Sequence, residues 1–239
     1  MTDVNEQPAE QRGRRGLRVL VVRHGESIAN VEDVVAGQRT CRGLSPWGHA
    51  QAEAVAEYLA VEEAGAIAAV YSTHLQRAGQ TAERIAREHG LTVPRKLPAP
   101  YYGTAEGQSW IKILTSHDPP IALTPDRPIA PDAEPWSTWV ARVGANFERL
   151  SQRHHGGQTI VLVCHRESIL GIEQYLYRAP YSLANVTAPA ANCSITEWLR
   201  RPLGAKAWRW ERVRHNDIEH LAPLDYKRAA PAGRSGHDW

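Results

Sequence analysis

Val19-Leu20-Val21-Val22-Arg23-His24-Gly25-Glu26-Ser27 is the stretch that decides the fold. A short apolar run with β propensity ends abruptly in an arginine, a histidine and a glycine. Open α/β sheets present their reactive groups at the carboxyl ends of strands, where ligands bind. A second run of the same shape lies far downstream, Thr159-Ile160-Val161-Leu162-Val163-Cys164-His165-Arg166. It too ends in a histidine beside an arginine. The expectation is that the two histidines meet in one pocket.

The chain around these two strands alternates strand and helix. Leu17 to Val22 reads as the first strand. Ser45 suits a helix N-cap and Pro46 the first helical position. That helix is expected to run to Leu59, with Val55, Tyr58 and Leu59 facing inward. Ile67 to Tyr71 reads as a strand, followed by a helix that starts within Ser72 to Ala82 and ends near His89-Gly90. Thr92-Val93 reads as a short third strand. Over Glu134 to Arg153, Trp136, Trp139, Val140, Val143, Phe147 and Leu150 recur at three- and four-residue steps, the mark of a packed helix face. Strand 159–163 is followed by a helix from Glu167 to Tyr177. Asn192 to Leu199 and Ala207 to Arg214 read as a hairpin around residues 200–204. The alternation predicts an α/β fold of three layers, with a doubly wound, mostly parallel sheet.

Residues 1–16 are nearly devoid of apolar side chains and are expected to form a disordered arm. Residues 17–221 form the single domain and residues 222–239 a loose tail. Within the domain, Pro94 to Pro135 is rich in proline and loses regular periodicity, apart from a short helix expected around Glu106 to Leu114. An irregular insertion of this length is expected to act as a lid over the pocket.

Composition narrows the classes. Of 239 residues, 42% are hydrophobic and 23% charged, as in ordinary globular domains. A net charge of +2 is too mild to point to nucleic acid or an anionic membrane as partner. No apolar run approaches the roughly 18 residues of a membrane span. Cys41, Cys164 and Cys193 show no disulfide spacing and Met1-Thr2-Asp3 opens no signal peptide, so a cytoplasmic setting is expected. The eleven histidines include no His-x-x-x-His pair, and neither metal nor cofactor is expected. The oligomeric state is open, and a homodimer is compatible with the sequence.

The residues at the two strand ends suit a phosphate. Arginine offers a planar fork of donors for phosphate oxygens. Gly25 lets the backbone turn sharply beside a ligand. A neutral histidine keeps a lone pair on one ring nitrogen and can attack phosphorus. Arg77 falls in the first turn after the second strand, at the same sheet edge.

These motifs resemble the histidine phosphatase superfamily, which includes the cofactor-dependent phosphoglycerate mutases. Arg23-His24-Gly25-Glu26-Ser27 with Asn30 is similar to the family's first motif. Leu44-Ser45-Pro46-Trp47-Gly48-His49-Ala50-Gln51-Ala52 and Leu75-Gln76-Arg77-Ala78-Gly79-Gln80-Thr81-Ala82 resemble its next two. Val163-Cys164-His165 stands where the family has its second histidine. Asn192-Cys193-Ser194-Ile195-Thr196 and Asn216 to Leu221 resemble its late strand and closing segment. The resemblance implies a phosphatase of small phosphorylated metabolites that needs no metal. His24 would become phosphohistidine, with Arg23, Arg77, Asn30 and His165 binding the phosphoryl oxygens and Ser27 assisting. His165 would act as a cation beside the phosphate.

Two departures stand out. The family's general acid is a glutamate four residues before the glycine matched by Gly103, and Ala99 occupies that place. Either another group donates the proton, with Glu106 and Asp118 as candidates, or the leaving group needs little help. Arg166 follows the second histidine where the family has glycine. It either binds a second anionic group of the substrate or points outward from the next helix. Glu26 and Glu167 are candidate partners that orient the arginines. The alternatives to a phosphatase are a phosphomutase, and a diverged member that binds a phosphorylated ligand or catalyses another step. From Ala99 alone, aryl phosphates are expected to turn over much faster than alkyl phosphates. Equal rates in a phosphate-release assay would reveal a proton donor elsewhere in the chain.

Overall fold

The computed structural model describes residues 16–180, 188–204 and 207–224. Most of the arm expected over residues 1–16, and all but the start of the tail expected from residue 222, lie outside them. Five strands, β1 (Leu17–Arg23), β2 (Ile67–Ser72), β3 (Thr159–Cys164), β4 (Ile195–Pro202) and β5 (Trp208–Asp217), form one sheet in the order β2-β3-β1-β4-β5. β1 and β2 both pair with β3 in parallel, β4 runs antiparallel to β1, and β5 antiparallel to β4. Only β4 is therefore reversed, and the sheet is mixed but mostly parallel. The α-helices of the described residues are α1 (Ile28–Glu32), α2 (Pro46–Glu62), α3 (Gln76–Glu88), α4 (Trp110–Thr115), α5 (Trp136–Ser151) and α6 (Arg166–Tyr177).

The period-two alternation of β1 explains the layers. Leu17, Val19 and Val21 enter one core with Trp139, Val143, Phe147 and Leu150 of α5 and Ile169 and Ile172 of α6. Leu20 and Val22 enter the opposite core with Val55, Ala56 and Leu59 of α2 and Ala78, Ala82, Ile85 and Ala86 of α3. A strand that is apolar on both sides needs a helical layer on each face, and the fold is the expected α/β/α sandwich. The aromatic stripe of α5 is core packing, with Trp139 and Phe147 fully buried.

The structure departs from the sequence reading at several boundaries. Thr92-Val93 forms no strand. The carbonyl of Pro94 instead accepts from the Ser72 amide, and Leu97 bridges Thr73 in parallel. Proline has no amide to donate but keeps its carbonyl, so the chain meets β2 only past Pro94. The expected helix over Glu106–Leu114 is replaced by a 3₁₀ turn at Gly103–Ala105 and by α4, because Gly107 takes φ +88° between them. The hairpin turn lies beyond residue 202, since Pro202 still pairs with Trp208. The insertion has a small core of its own, where Tyr102, Ala105 and Ile113 pack on Val35.

The turn after β1 is held by two helices. The Gly25 amide donates to Thr81 Oγ1 of α3 at 3.1 Å, and the Glu26 amide to Gln51 Oε1 of α2 at 2.8 Å. Ser45 caps α2 by accepting from the Gly48 amide, while its hydroxyl donates to Glu26 Oε1 at 2.6 Å. Here the turn crosses the first turn of α2 backbone to backbone. A Cβ on Gly48 would stand 1.9 Å from the Glu26 carbonyl oxygen, and one on Gly25 would stand 2.4 Å from the Gly48 oxygen. No flexible side chain can yield there. Gly48→Ala is therefore expected to cost about 1–3 kcal/mol or more, as forced overpacking does, read as a lower denaturant midpoint.

Candidate active site

Register alone brings the two histidines together. Arg23 and Cys164 are partners at the ends of β1 and β3, so His24 and His165 leave the sheet side by side. Their ring centroids lie 5.2 Å apart, and both side chains are buried. β2 is the next strand over, and it delivers Thr73 and then Arg77 in the first turn of α3.

His24 is held in one tautomer. Its Nδ1 lies 2.7 Å from the carbonyl oxygen of Gly25, an acceptor only, so Nδ1 carries the proton. Nε2 is then the lone-pair nitrogen, and it accepts from Arg77 Nε at 3.0 Å. His165 Nε2 lies 3.0 Å from Thr73 Oγ1, while its Nδ1 is buried without a protein partner. Burial, then the charges of Arg77 and Arg23, push the His24 pKa well below 6.5. Burial, Arg77, His24 and Arg23 do the same to His165. These shifts favour the neutral form of both rings. The cationic His165 expected from sequence would need a bound phosphate dianion to supply the opposing charge.

Arg77 is buried, yet one terminal nitrogen, Nη1, finds no hydrogen-bond acceptor in the protein. A desolvated guanidinium nitrogen without a partner is costly, and an incoming oxyanion would satisfy it. Arg23 donates from Nη1 to the Ala190 carbonyl. Asn192 donates to the His24 carbonyl at 3.0 Å and fixes the backbone of the turn from the β4 side. Cys41 also reaches Arg77. Burial alone would raise its thiol pKa, but the Arg77 charge and hydrogen bonds from Arg77 and Gly43 bring it below the usual value.

The remaining residues singled out in the sequence are placed as follows. Ser27 is the N-cap of α1 and accepts from the Asn30 amide, while Asn30 Oδ1 accepts from the Ser27 amide and hydroxyl. The two close a capping box, so these oxygens shape the loop beside His24. Arg166 is the first residue of α6 and is half-buried. Glu106 accepts from the Arg39 amide at 2.9 Å and the Thr40 hydroxyl at 3.1 Å, which builds it into the turn at residues 37–40. Asp118 is exposed in the insertion. Ala99 is buried, and its carbonyl accepts from Arg142. Glu26 accepts from Ser45, and Glu167 is hydrogen-bonded to Tyr102. Thr73, Cys41, Asn192 and Tyr102 were not anticipated as site residues. Thr73 carried a signal as a hydroxyl at the end of the second strand, and Asn192 as the first residue of the late-strand motif.

Among the described residues, no group of three or more His, Cys, Asp or Glu side chains could hold a metal ion. None of their helices is long and apolar enough to cross a membrane.

A family model for the histidine phosphatase superfamily (branch 1) matches residues 19–217. The uncharacterized protein Rv0525 of Mycobacterium tuberculosis is 31% identical over 169 residues, covering 66% of this chain and 78% of that protein. The mycobacterial glucosyl-3-phosphoglycerate phosphatase Rv2419c, solved with VO3, superposes with a TM-score of 0.71 at 22% identity, over 84% of this chain and 99% of that one. YhfR of Bacillus stearothermophilus gives 0.71 at 22% identity, over 86% and 99%. A phosphoserine phosphatase mutant of Entamoeba histolytica, bound to phosphoserine, gives 0.65 at 22% identity, over 86% and 99%. At these identities the superpositions establish a shared fold.

The two depressed histidines link stability to pH. Unfolded, each imidazole takes up a proton below its ordinary 6.5, whereas the folded rings resist protonation. The unfolded state therefore binds more protons below that value, and stability falls as pH falls through it. The thermal midpoint is expected to drop between about pH 7.5 and about pH 5.5, more steeply in the native protein than in His165→Asn. A steeper drop in the variant would contradict the assignment of His165 as neutral.

Proposed function

The chain belongs to the histidine phosphatase superfamily, and on that premise we propose that it is a phosphatase of a small phosphorylated metabolite, working through a phosphohistidine on His24. The observation that carries this reading is the pairing of His24 Nε2 with Arg77 Nε at 3.0 Å, with the His165 ring 5.2 Å from that of His24. The nitrogen that would attack is the one with the lone pair. The guanidinium that covers it is the group best suited to hold a phosphoryl oxygen in its place.

The steps follow from these positions. A phosphate ester enters the pocket, and its oxygens draw the Arg77 guanidinium off Nε2 and satisfy Nη1. Arg23 adds positive charge at the same edge, and His165 takes up a proton beside the dianion. His24 Nε2 then attacks phosphorus. Negative charge on the equatorial oxygens is met by donors already in place, which is where most of the barrier reduction arises. The Gly25 carbonyl holds the Nδ1 proton and supports the positive charge that develops on the ring. Water cleaves the phosphohistidine and regenerates the lone pair. Neither metal nor cofactor is assigned a part in these steps, since the arginines and His165 supply the positive charge.

The phosphoserine and glucosyl-3-phosphoglycerate phosphatases among the structural neighbours favour hydrolysis of small phosphate esters as the activity class. A phosphomutase would keep the phosphoryl group on the enzyme between half-reactions. In ¹⁸O-labelled water a hydrolase places label in the released phosphate, whereas a mutase leaves the transferred phosphate unlabelled. Phosphate release from 4-nitrophenyl phosphate is expected to fall at least ~10³-fold in His24→Ala and about 10²–10³-fold in Arg77→Ala. Release by His24→Ala at the native rate would sink the phosphohistidine reading.

A further inference from the structure

The carboxylate that the family supplies four residues before its glycine is missing at Ala99, and a phosphatase of alkyl esters needs a proton for the departing oxygen. The carboxylates around the pocket divide by what they touch. Glu106 is consumed by the Arg39 amide and the Thr40 hydroxyl, with Arg39 Nε 3.8 Å away. Glu134 is doubly hydrogen-bonded to Arg142, both contacts at 2.7 Å, so both of its oxygens are taken. Glu26 accepts from the Ser45 hydroxyl. Asp118 is exposed.

Glu167 differs from all of these. It lies two residues beyond His165, in the first turn of the helix that His165 caps. Its carboxylate meets the hydroxyl of Tyr102, which is buried in the small core of the insertion and stacked edge-on against Trp110 at 5.6 Å. The Glu167 backbone is fixed as well, since its carbonyl accepts from Trp139 Nε1 at 2.9 Å. The His165 ring, two residues before Glu167, lies 5.2 Å from that of His24, and the Arg77 and Arg23 charges act on the Tyr102 hydroxyl, so the pair stands at the edge of the same pocket. Burial and then the Glu167 charge raise the Tyr102 pKa well above 10, so the phenol stays protonated and donates to the carboxylate. The Tyr102 hydroxyl is a neutral donor. It orients the carboxylate through one contact, whereas the Arg142 fork occupies both oxygens of Glu134.

We propose that Glu167, oriented by Tyr102, is the proton donor to the leaving oxygen and the base for the attacking water. This deepens the phosphatase reading and rests on it. A carboxylate beside a phosphate dianion takes up a proton more readily than one in water. As the His24 Nε2–phosphorus bond forms and the phosphorus–oxygen ester bond breaks, the Glu167 carboxyl proton passes to the departing oxygen, giving a neutral alcohol. The Glu167 carboxylate then removes a proton from water as its oxygen attacks phosphorus and the nitrogen–phosphorus bond breaks. Hydrogen phosphate leaves, and His24 and Glu167 return to their starting states. With Glu167 in this role the native enzyme turns over poor leaving groups well, against the expectation from Ala99 alone. Tyr102 is a positioning residue.

The test is kcat/KM across substituted phenyl phosphates, from phenyl to 4-nitrophenyl, for the native protein, Glu167→Gln and Tyr102→Phe. Glu167→Gln is expected to lose about 10²–10⁴-fold on phenyl phosphate and at least tenfold less on 4-nitrophenyl phosphate, so that rate depends steeply on leaving-group acidity. Tyr102→Phe is expected to show a smaller loss in the same direction, with a shifted basic limb in its pH–rate profile. Competitive inhibition by inorganic phosphate, retained in both variants, would show that the pocket is folded. A loss equal across the series, or no loss, would falsify the assignment of Glu167 while leaving the phosphatase reading intact. A native protein with no turnover on any member of the series overturns both.

Discussion

The site depends on the backbone turn from His24 to Ser27. That turn fixes the histidine through the adjacent Gly25 carbonyl, 2.7 Å from Nδ1. A ring nitrogen facing a carbonyl must carry the proton, so the other nitrogen keeps its lone pair. The turn can take this shape only because two helices grip its amides, Thr81 from α3 and Gln51 from α2. It can lie close enough to α2 only because residues 25 and 48 have no side chain. A chemical property of one nitrogen thus rests on a backbone crossing more than twenty residues away in sequence.

Much of this was legible in the sequence because the features are local and repeat. The runs at β1 and β3 are apolar throughout and end in the same chemistry, and adjacency in a parallel sheet was enough to pair their histidines. Ser45 and Pro46 marked the start of α2 through capping rules that hold independently of context. The α5 stripe followed the helical period and packs as that period requires. Gln51 and Thr81 of the two helix motifs carried no evident role until the structure showed them holding the turn.

What was not legible depends on long-range pairing. The local capping box of Ser27 and Asn30 is joined by Asn192, whose side-chain amide reaches Asn30 Oδ1 from far along the chain. Glu106 looked available as an acid until the turn at residues 37–40 closed over it. Tyr102 and Glu167 are far apart in sequence, and no periodicity links an irregular insertion to the first turn of α6. Only the fold brings a phenol and a carboxylate to the same edge as His24. The insertion contributes this tyrosine together with the small core that holds it.

The positive charge around the two imidazoles has a further consequence. Two neutral imidazoles 5.2 Å apart are what a divalent transition metal ordinarily seeks. In this pocket Arg77 occupies one of the available nitrogens, and its charge and that of Arg23 reach both rings. A cation approaching the pair meets repulsion from each guanidinium at short range and with little solvent to screen it. The arrangement therefore sorts ions by sign before any shape is read. The same charges that lower the proton affinity of both rings oppose any second cation that approaches them.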